Sequence, residues 1–340
     1  MSIQIMSMKT GSIYTILIAI ISLALFNSCS KSNSYNNIVT PPNTSGDVIT
    51  NLSYGSNIDW KGQTEDLKLD VYLPPNRVAG AKYPLILWVH GGGFLVGDKE
   101  SAKTFSSDMA ARGFVTAPID YRLGWTKSET NTCDGDSVQA KEAFYRAQQD
   151  ARAALRYLVA NADKYSIDTN WIFIGGASAG GVTSLNLPYF TQEVADSYLG
   201  TALTSKLGPL NADNSLTNSF TIKGIMSMWG AVGDLGIITR QNAVPTIFFH
   251  GTADAVVPFD IDHFYLCDSY PLAYGTKPVY DLLTSFGTPA VAHVEPGGGH
   301  GVFTDDFRAD NSACFLNSLM ADGKEPERGY YIGDNASSCR

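Results

Sequence analysis

A serine hydroxyl attacks a carbonyl only when a base takes its proton and an acid holds that base in place. Three residues far apart in this chain of 340 could supply such a set. Ser178 stands in "GGASAG", a G-x-S-x-G pattern between the apolar run "WIFIGG" and a helix-like segment. Small neighbours permit a strained turn that lifts the hydroxyl above the end of a strand. A phosphate loop fits poorly, because "GGVTSL" carries no lysine and the glycines miss the dinucleotide register. There are five histidines. His293 lies inside a strand pattern and His263 in the polar "DIDHFY". His90 and His250 each end a strand before glycine, where an imidazole commonly bonds the turn. His300 sits in "EPGGGHGVF" after the last expected strand, where it can swing over a sheet edge, and is the expected base. Asp254, the first carboxylate after "TIFFHG", is the expected acid, with Asp260 and Asp262 as fallbacks beyond Pro258.

Acyl transfer also needs amide donors for the oxygen that gains charge. "HGGGF", His90 to Phe94, follows another apolar run, and its glycines let backbone N–H groups approach a substrate. Gly92, Gly93 and Ala179 are the expected oxyanion donors. The plainer reading, glycines that only make a tight turn, does not explain four pieces in the right order.

The elements that must position these groups alternate. "LKLDVYLP" (67–74) reads as an early, partly exposed strand. "PLILWVHGGG" (84–93), "FVTAPIDY" (114–121) and "WIFIGG" (171–176) read as strands buried on both faces. So do "IKGIMSMWG" (222–230), "VPTIFFHG" (244–251) and "AVAHVEP" (290–296). Helices are expected over 138–162, from Ser178 to about Phe190, and over 276–287 and 304–321. This alternation predicts an α/β fold, a mostly parallel, doubly wound sheet with helices on both faces. Residues 123–138 and 191–221 break the alternation. They read as insertions at the carboxyl ends of the strands, where ligands bind and where a lid or substrate wall would be built.

A net charge of −9 and the lack of a Lys/Arg cluster argue against a nucleic-acid surface. Residues 1–28 carry one charge, Lys9, and the apolar stretch "IYTILIAIISLALF", the pattern of an export signal and short for a membrane span. "FNSC" resembles the lipobox of bacterial lipoproteins, which implies acylation of Cys29 and a membrane-anchored, exported protein facing the periplasm or cell surface. Residues 29–50, rich in Ser, Asn, Thr and Pro, read as a flexible tether, and 51–340 as one catalytic domain. Cys133, Cys267, Cys314 and Cys339 fit no zinc spacing; in an exported chain they imply at least one disulfide, with the pairing open.

"WVHGGGF", "IDYRLG", "GGASAGG", "HGTADAVVP" and "GGGHGVF" together resemble the α/β-hydrolase serine esterases, over roughly residues 65 to 320. The nearest branches are the hormone-sensitive-lipase-like esterases and the acetyl xylan and feruloyl esterases. The resemblance implies a Ser178–Asp254–His300 triad, an oxyanion hole at Gly92, Gly93 and Ala179, no cofactor and no metal. It also implies a structural role for Asp150. The chain departs from the lipase-like branch at "YRLGWT" and lacks its N-terminal helical cap, which implies a less covered pocket. The expected activity is carboxylic-ester hydrolysis, on a small-molecule or acylated carbohydrate ester. A prolyl-oligopeptidase-like peptidase, which usually has an accessory propeller, and a non-catalytic binding protein on the same fold are the alternatives.

Overall fold

Among the described residues nine strands form one sheet, and Ser178, Asp254, His300 and the 91–93 glycines all follow strands of its parallel part. A computed structural model describes residues 46–337. The expected signal, Cys29, Cys339 and most of the tether lie outside them. The strands are β1 (Val48–Ile58), β2 (Thr64–Tyr72), β3 (Tyr83–Val89), β4 (Val115–Ile119), β5 (Ile167–Ala177), β6 (Ile222–Met228), β7 (Thr246–Gly251), β8 (Ile261–His263), β9 (Leu272–Tyr274), β10 (Ala290–Glu295) and β11 (Gly329–Ile332). The helices are α1 (Lys103–Ala111), α2 (Ser137–Ala160), α3 (Ala179–Asn186), α4 (Gln192–Leu199), α5 (Thr201–Leu207), α6 (Thr276–Ser285) and α7 (Asp305–Met320). The sheet order is β1-β2-β4-β3-β5-β6-β7-β10-β11, with β8 and β9 as a separate hairpin. Pairs β1–β2 and β2–β4 are antiparallel and the rest of the large sheet is parallel.

Alternation along β3 explains the two layers. Leu85, Leu87 and Val89 join one core with Ala147, Ala151 and Leu155 of α2 and Val279 and Leu283 of α6. Ile86 and Trp88 join the other with Phe105 and Met109 of α1 and Ala313 and Leu316 of α7. A strand covered on both faces needs apolar residues at every position, hence the continuous run. The alanines at four-residue spacing on α2 let its backbone lie close to the sheet. Arg122, after β4, is clamped to that helix: its amide and Nε donate to Asp150 at 2.6 and 2.9 Å, with both side chains buried. Asp150 thus ties strand to helix.

Two boundaries need correction. Residues 48–50, assigned to the tether, already belong to β1, with Val48 opposite Tyr72 and Ile49 opposite Val71. Three β-branched residues in a row favour a strand, but the surrounding Ser/Asn/Pro composition hid them. The partly exposed strand expected over 67–74 runs instead as β2 from Thr64 to Tyr72, flanked by β1, with Leu67, Leu69 and Val71 fully buried and its polar start exposed. Segment 123–138 is loop except for a short turn at Thr132–Asp134 and the start of α2. Segment 191–221 holds α4 and α5.

Candidate active site

Ser178, Asp254, His300 and the glycine loop 91–93 follow the carboxyl ends of β5, β7, β10 and β3, four of five adjacent strands. Ser178 bridges β5 and α3 with φ 55 and ψ −119, a strained conformation for a non-glycine residue, and its amide is tied to the Met228 carbonyl at 2.8 Å. The turn is possible because backbones touch: a Cβ on Gly180 would lie 1.9 Å from the Val89 carbonyl oxygen, and one on Gly176 would lie 2.4 Å from the Gly180 backbone.

The three side chains meet in line. Ser178 Oγ is 2.9 Å from His300 Nε2, and His300 Nδ1 is 2.7 Å from Asp254 Oδ2. The His300 side chain is about 26 % exposed and lies by the Trp229 ring, centroids 5.7 Å apart, with the Arg308 guanidinium 4.8 Å over that indole. Asp254 is buried. Its Oδ1 accepts the Val256 and Val257 amides at 2.8 and 3.1 Å. Burial pushes its pKa up, but hydrogen bonds from His250, His300 and the Val256 amide outweigh this and hold the carboxyl well below the usual range. The fallback acids Asp260 and Asp262 are exposed and take no part.

His250 is a functional neighbour that sequence reasoning missed. It does bond the turn, through Nε2 to the Val257 carbonyl at 3.0 Å, but the same Nε2 lies 3.2 Å from Asp254 Oδ2. Its Nδ1 pairs with Thr276 Oγ1 at 2.9 Å. The available signal was the spacing in "HGTAD": a tight turn after β7 folds residue i+4 back onto residue i. The other histidines stay apart. His90 bonds Gly91 O at 2.6 Å and stacks on Tyr121, His263 bonds the Tyr270 carbonyl, and His293 is buried between Phe249 and Tyr331.

Of the expected donors, Gly93 and Ala179 line the same cleft as Ser178. Gly92 and Gly93 both have positive φ, 110° and 62°, and a side chain on Gly92 would strike the Val96 carbonyl. A Cβ on the preceding Gly91 would stand 3.3 Å from Ser178 Cβ, so the loop presses on the serine. Trp125 fixes the loop from outside, its indole N–H donating to the Gly93 carbonyl at 2.8 Å. Ala179 is the first residue of α3, where an amide has no acceptor within the helix.

The site opens into a cleft with largely apolar walls. The resemblance implied a less covered pocket, yet this one is walled, with Trp125 and Tyr198 contributed by the two insertions. Phe94, Phe144 and Phe190 make an edge-to-face row, at 6.2 and 5.1 Å between centroids. Tyr198 on α4, Trp125, Tyr265 and Tyr270 close the rest. A disulfide between Cys133 and Cys267 clamps two of these walls, and the Tyr270 hydroxyl donates to the Thr132 carbonyl at 2.7 Å alongside it. Such an arrangement can activate a hydroxyl, receive a developing oxyanion and hold an apolar group.

Comparisons with known proteins agree with the fold. The BD-FAE family model matches residues 69–241. Mouse (Mus musculus) carboxylesterase 3B is 35 % identical over 150 residues, 42 % of this chain and 25 % of that protein. Rabbit (Oryctolagus cuniculus) liver carboxylesterase 1 is 30 % identical over 187 residues, 52 % of this chain and 31 % of that one. The chain thus spans about a quarter to a third of the length of these curated relatives. Among solved structures, a truncated carbohydrate esterase from gut microbiota superposes with a TM-score of 0.56 at 18 % identity, covering 82 % of this chain and 98 % of that one. Apo Thermogutta terrifontis esterase 2 gives 0.54 at 18 % identity, covering 84 % and 98 %. The fold is that of the α/β-hydrolases.

Proposed function

The chain belongs to the BD-FAE family, and on that footing we propose that it hydrolyses carboxylic esters through an acyl-enzyme on Ser178. The observation that carries this reading is the unbroken line from Ser178 Oγ through His300 to Asp254, at 2.9 and 2.7 Å. His300 takes the hydroxyl proton as Ser178 attacks the ester carbonyl, while Asp254 holds the imidazole and stabilises its cationic form. The Gly92, Gly93 and Ala179 amides receive the oxyanion. His300 then protonates the departing alcohol, a water attacks the acyl-serine by the same route, and the acid leaves.

The aromatic walls support an aryl or medium-length acyl group, feruloyl included, and acetyl fits the same site with less contact. The carbohydrate esterase with the same fold supports an acylated carbohydrate as the alcohol side. Rates on p-nitrophenyl acetate, longer acyl esters, methyl ferulate and acetylated xylan test both halves. A fluorophosphonate probe that left Ser178 unlabelled in the folded protein would overturn the mechanism. We further propose that the protein is exported and acylated at Cys29, which the apolar segment and "FNSC" support. Labelled palmitate should enter the wild type and not a Cys29→Ala variant.

A further inference from the structure

Three tyrosines line the cleft; the Tyr270 hydroxyl is bonded, those of Tyr198 and Tyr265 are not, and of these two only Tyr265 touches the glycine loop. Tyr265 lines the same cleft as Ser178, half-buried, and its hydroxyl makes no hydrogen bond among the described residues. A Cβ on Gly93 would stand 3.1 Å from that hydroxyl, and one on Gly91 would stand 3.3 Å from Ser178 Cβ, so the oxygen lies against the loop that neighbours the serine. Burial, with Tyr270 beside it, pushes the phenol's pKa up, so at neutral pH it keeps its proton and can donate.

The backbone is held to this purpose. Tyr265 and Leu266 have φ 59 and 55, two successive non-glycine residues in the left-handed region. Neither has a glycine's freedom there, so the surroundings must impose the shape. Three ties do so. The Tyr265 amide donates to the Val256 carbonyl at 2.9 Å, and Val256 is itself fastened to Asp254. Two residues on, Cys267 is bridged to Cys133. The limb leading to Cys133 returns through the Trp125 indole to the Gly93 carbonyl. Lys127 caps the outer face of the Tyr265 ring at 4.5 Å. Gly93 is thus gripped by Trp125 and touched by Tyr265, from the two ends of one disulfide-closed strap.

We propose that Tyr265 is a catalytic residue whose hydroxyl donates a side-chain hydrogen bond, beside the backbone amides, to the oxygen that gains charge when Ser178 attacks. This rests on the esterase reading above. The Ser178→Ala and Tyr265→Phe variants of the full chain are compared with wild type on p-nitrophenyl acetate and an alkyl acetate. Tyr265→Phe keeps the ring and its packing, so its thermal midpoint should stay within a few degrees of wild type. Losing one oxyanion donor should lower kcat about 100-fold. KM should hold within about twofold, and the factor should be the same for both esters because the oxyanion is common to them. An unchanged kcat, or a loss confined to KM, would make Tyr265 only a wall residue and overturn the proposal. So would a loss seen only with the alkyl ester, since that moves the hydroxyl to the leaving oxygen. A wild type without esterase activity, or a fully active Ser178→Ala, overturns the esterase reading and this proposal together. An active wild type with an equally active Tyr265→Phe overturns this proposal alone.

Discussion

Asp254 and Asp213 are both buried carboxylates, yet their surroundings pull them in opposite directions. Asp254, at the end of β7, is one carboxylate among two imidazoles and two amides, and it is held ionised. Asp213, where the 191–221 insertion returns to the sheet, shares the Arg122 guanidinium with Asp150, at 3.2 Å from Arg122 Nη2. Asn57 Nδ2 donates to it at 2.6 Å, and its backbone oxygen accepts the Ser56 amide of β1. Burial and the Asp150 charge push its pKa up to about 7, against Arg122 and Asn57. The strand-end site has more donors than charge, whereas the insertion root has more charge than donors. The first is built to stay in one protonation state, and the second fastens a wall with a bond that titrates.

Chemistry should therefore be lost at the strand ends and shape at the walls. Ser178→Ala should lower kcat on p-nitrophenyl acetate by ~10⁶-fold and Asp254→Asn by ~10⁴-fold. Either variant keeping a tenth of wild-type activity would dissolve the contrast. Next in size is the clamp. A Cys133→Ser/Cys267→Ser double variant frees a crosslink spanning 134 residues. It should cost up to about 4–5 kcal/mol in urea unfolding and raise KM for bulky acyl esters more than for acetate. Equal stability with and without the bridge would show that the walls hold themselves.

His250→Asn removes a hydrogen bond to an ionised group, worth about 1.5–3 kcal/mol, and should lower kcat at least about tenfold with KM steady. A packing role alone would not move the acid limb of stability. Asp254 has a depressed folded pKa, so its contribution is present above the unfolded value and lost as pH falls through the acid range. That loss should shrink in His250→Asn. The smallest effect is at Asp213. Its folded pKa lies above the unfolded 3.8, so the folded state binds more protons and this group's contribution falls as pH rises from about 4 to about 7. Asp213→Asn should flatten that slope between pH 5 and pH 8 in urea unfolding. Parallel pH curves for the two proteins would refute the titrating latch.

The same contrast governs what could be read in the sequence. The sheet was legible because a strand covered on both faces must be apolar throughout, so β3, β5, β6, β7 and β10 announce themselves. Ser178 was legible because its strained turn demands small residues within a few positions. Asp254 and His300 followed because each comes directly after a strand. The walls obey no such local rule. Trp125, Tyr265 and Tyr270 lie in irregular segments, where no periodicity tells an inward from an outward ring. The pairing of Cys133 with Cys267 depends on where two distant loops end, and β1 hid within a polar stretch. His250 was seen but assigned to the turn alone, because its second contact needs the turn's geometry.

The glycine contacts at the elbow bear on how this protein could be remade. With the Val89, Gly176 and Gly180 backbones already touching, nothing larger than hydrogen fits at Gly176 or Gly180, and a library that randomises those two glycines will yield mostly unfolded chains. Phe144 and Phe190 meet through their rings and Tyr198 lines the cleft from α4, all outside the elbow, so exchanges there can redraw the cleft while the serine's turn stays intact. On the esterase reading proposed above, new acyl preferences should come within reach of a few substitutions on those three residues, and a new kind of nucleophile should not.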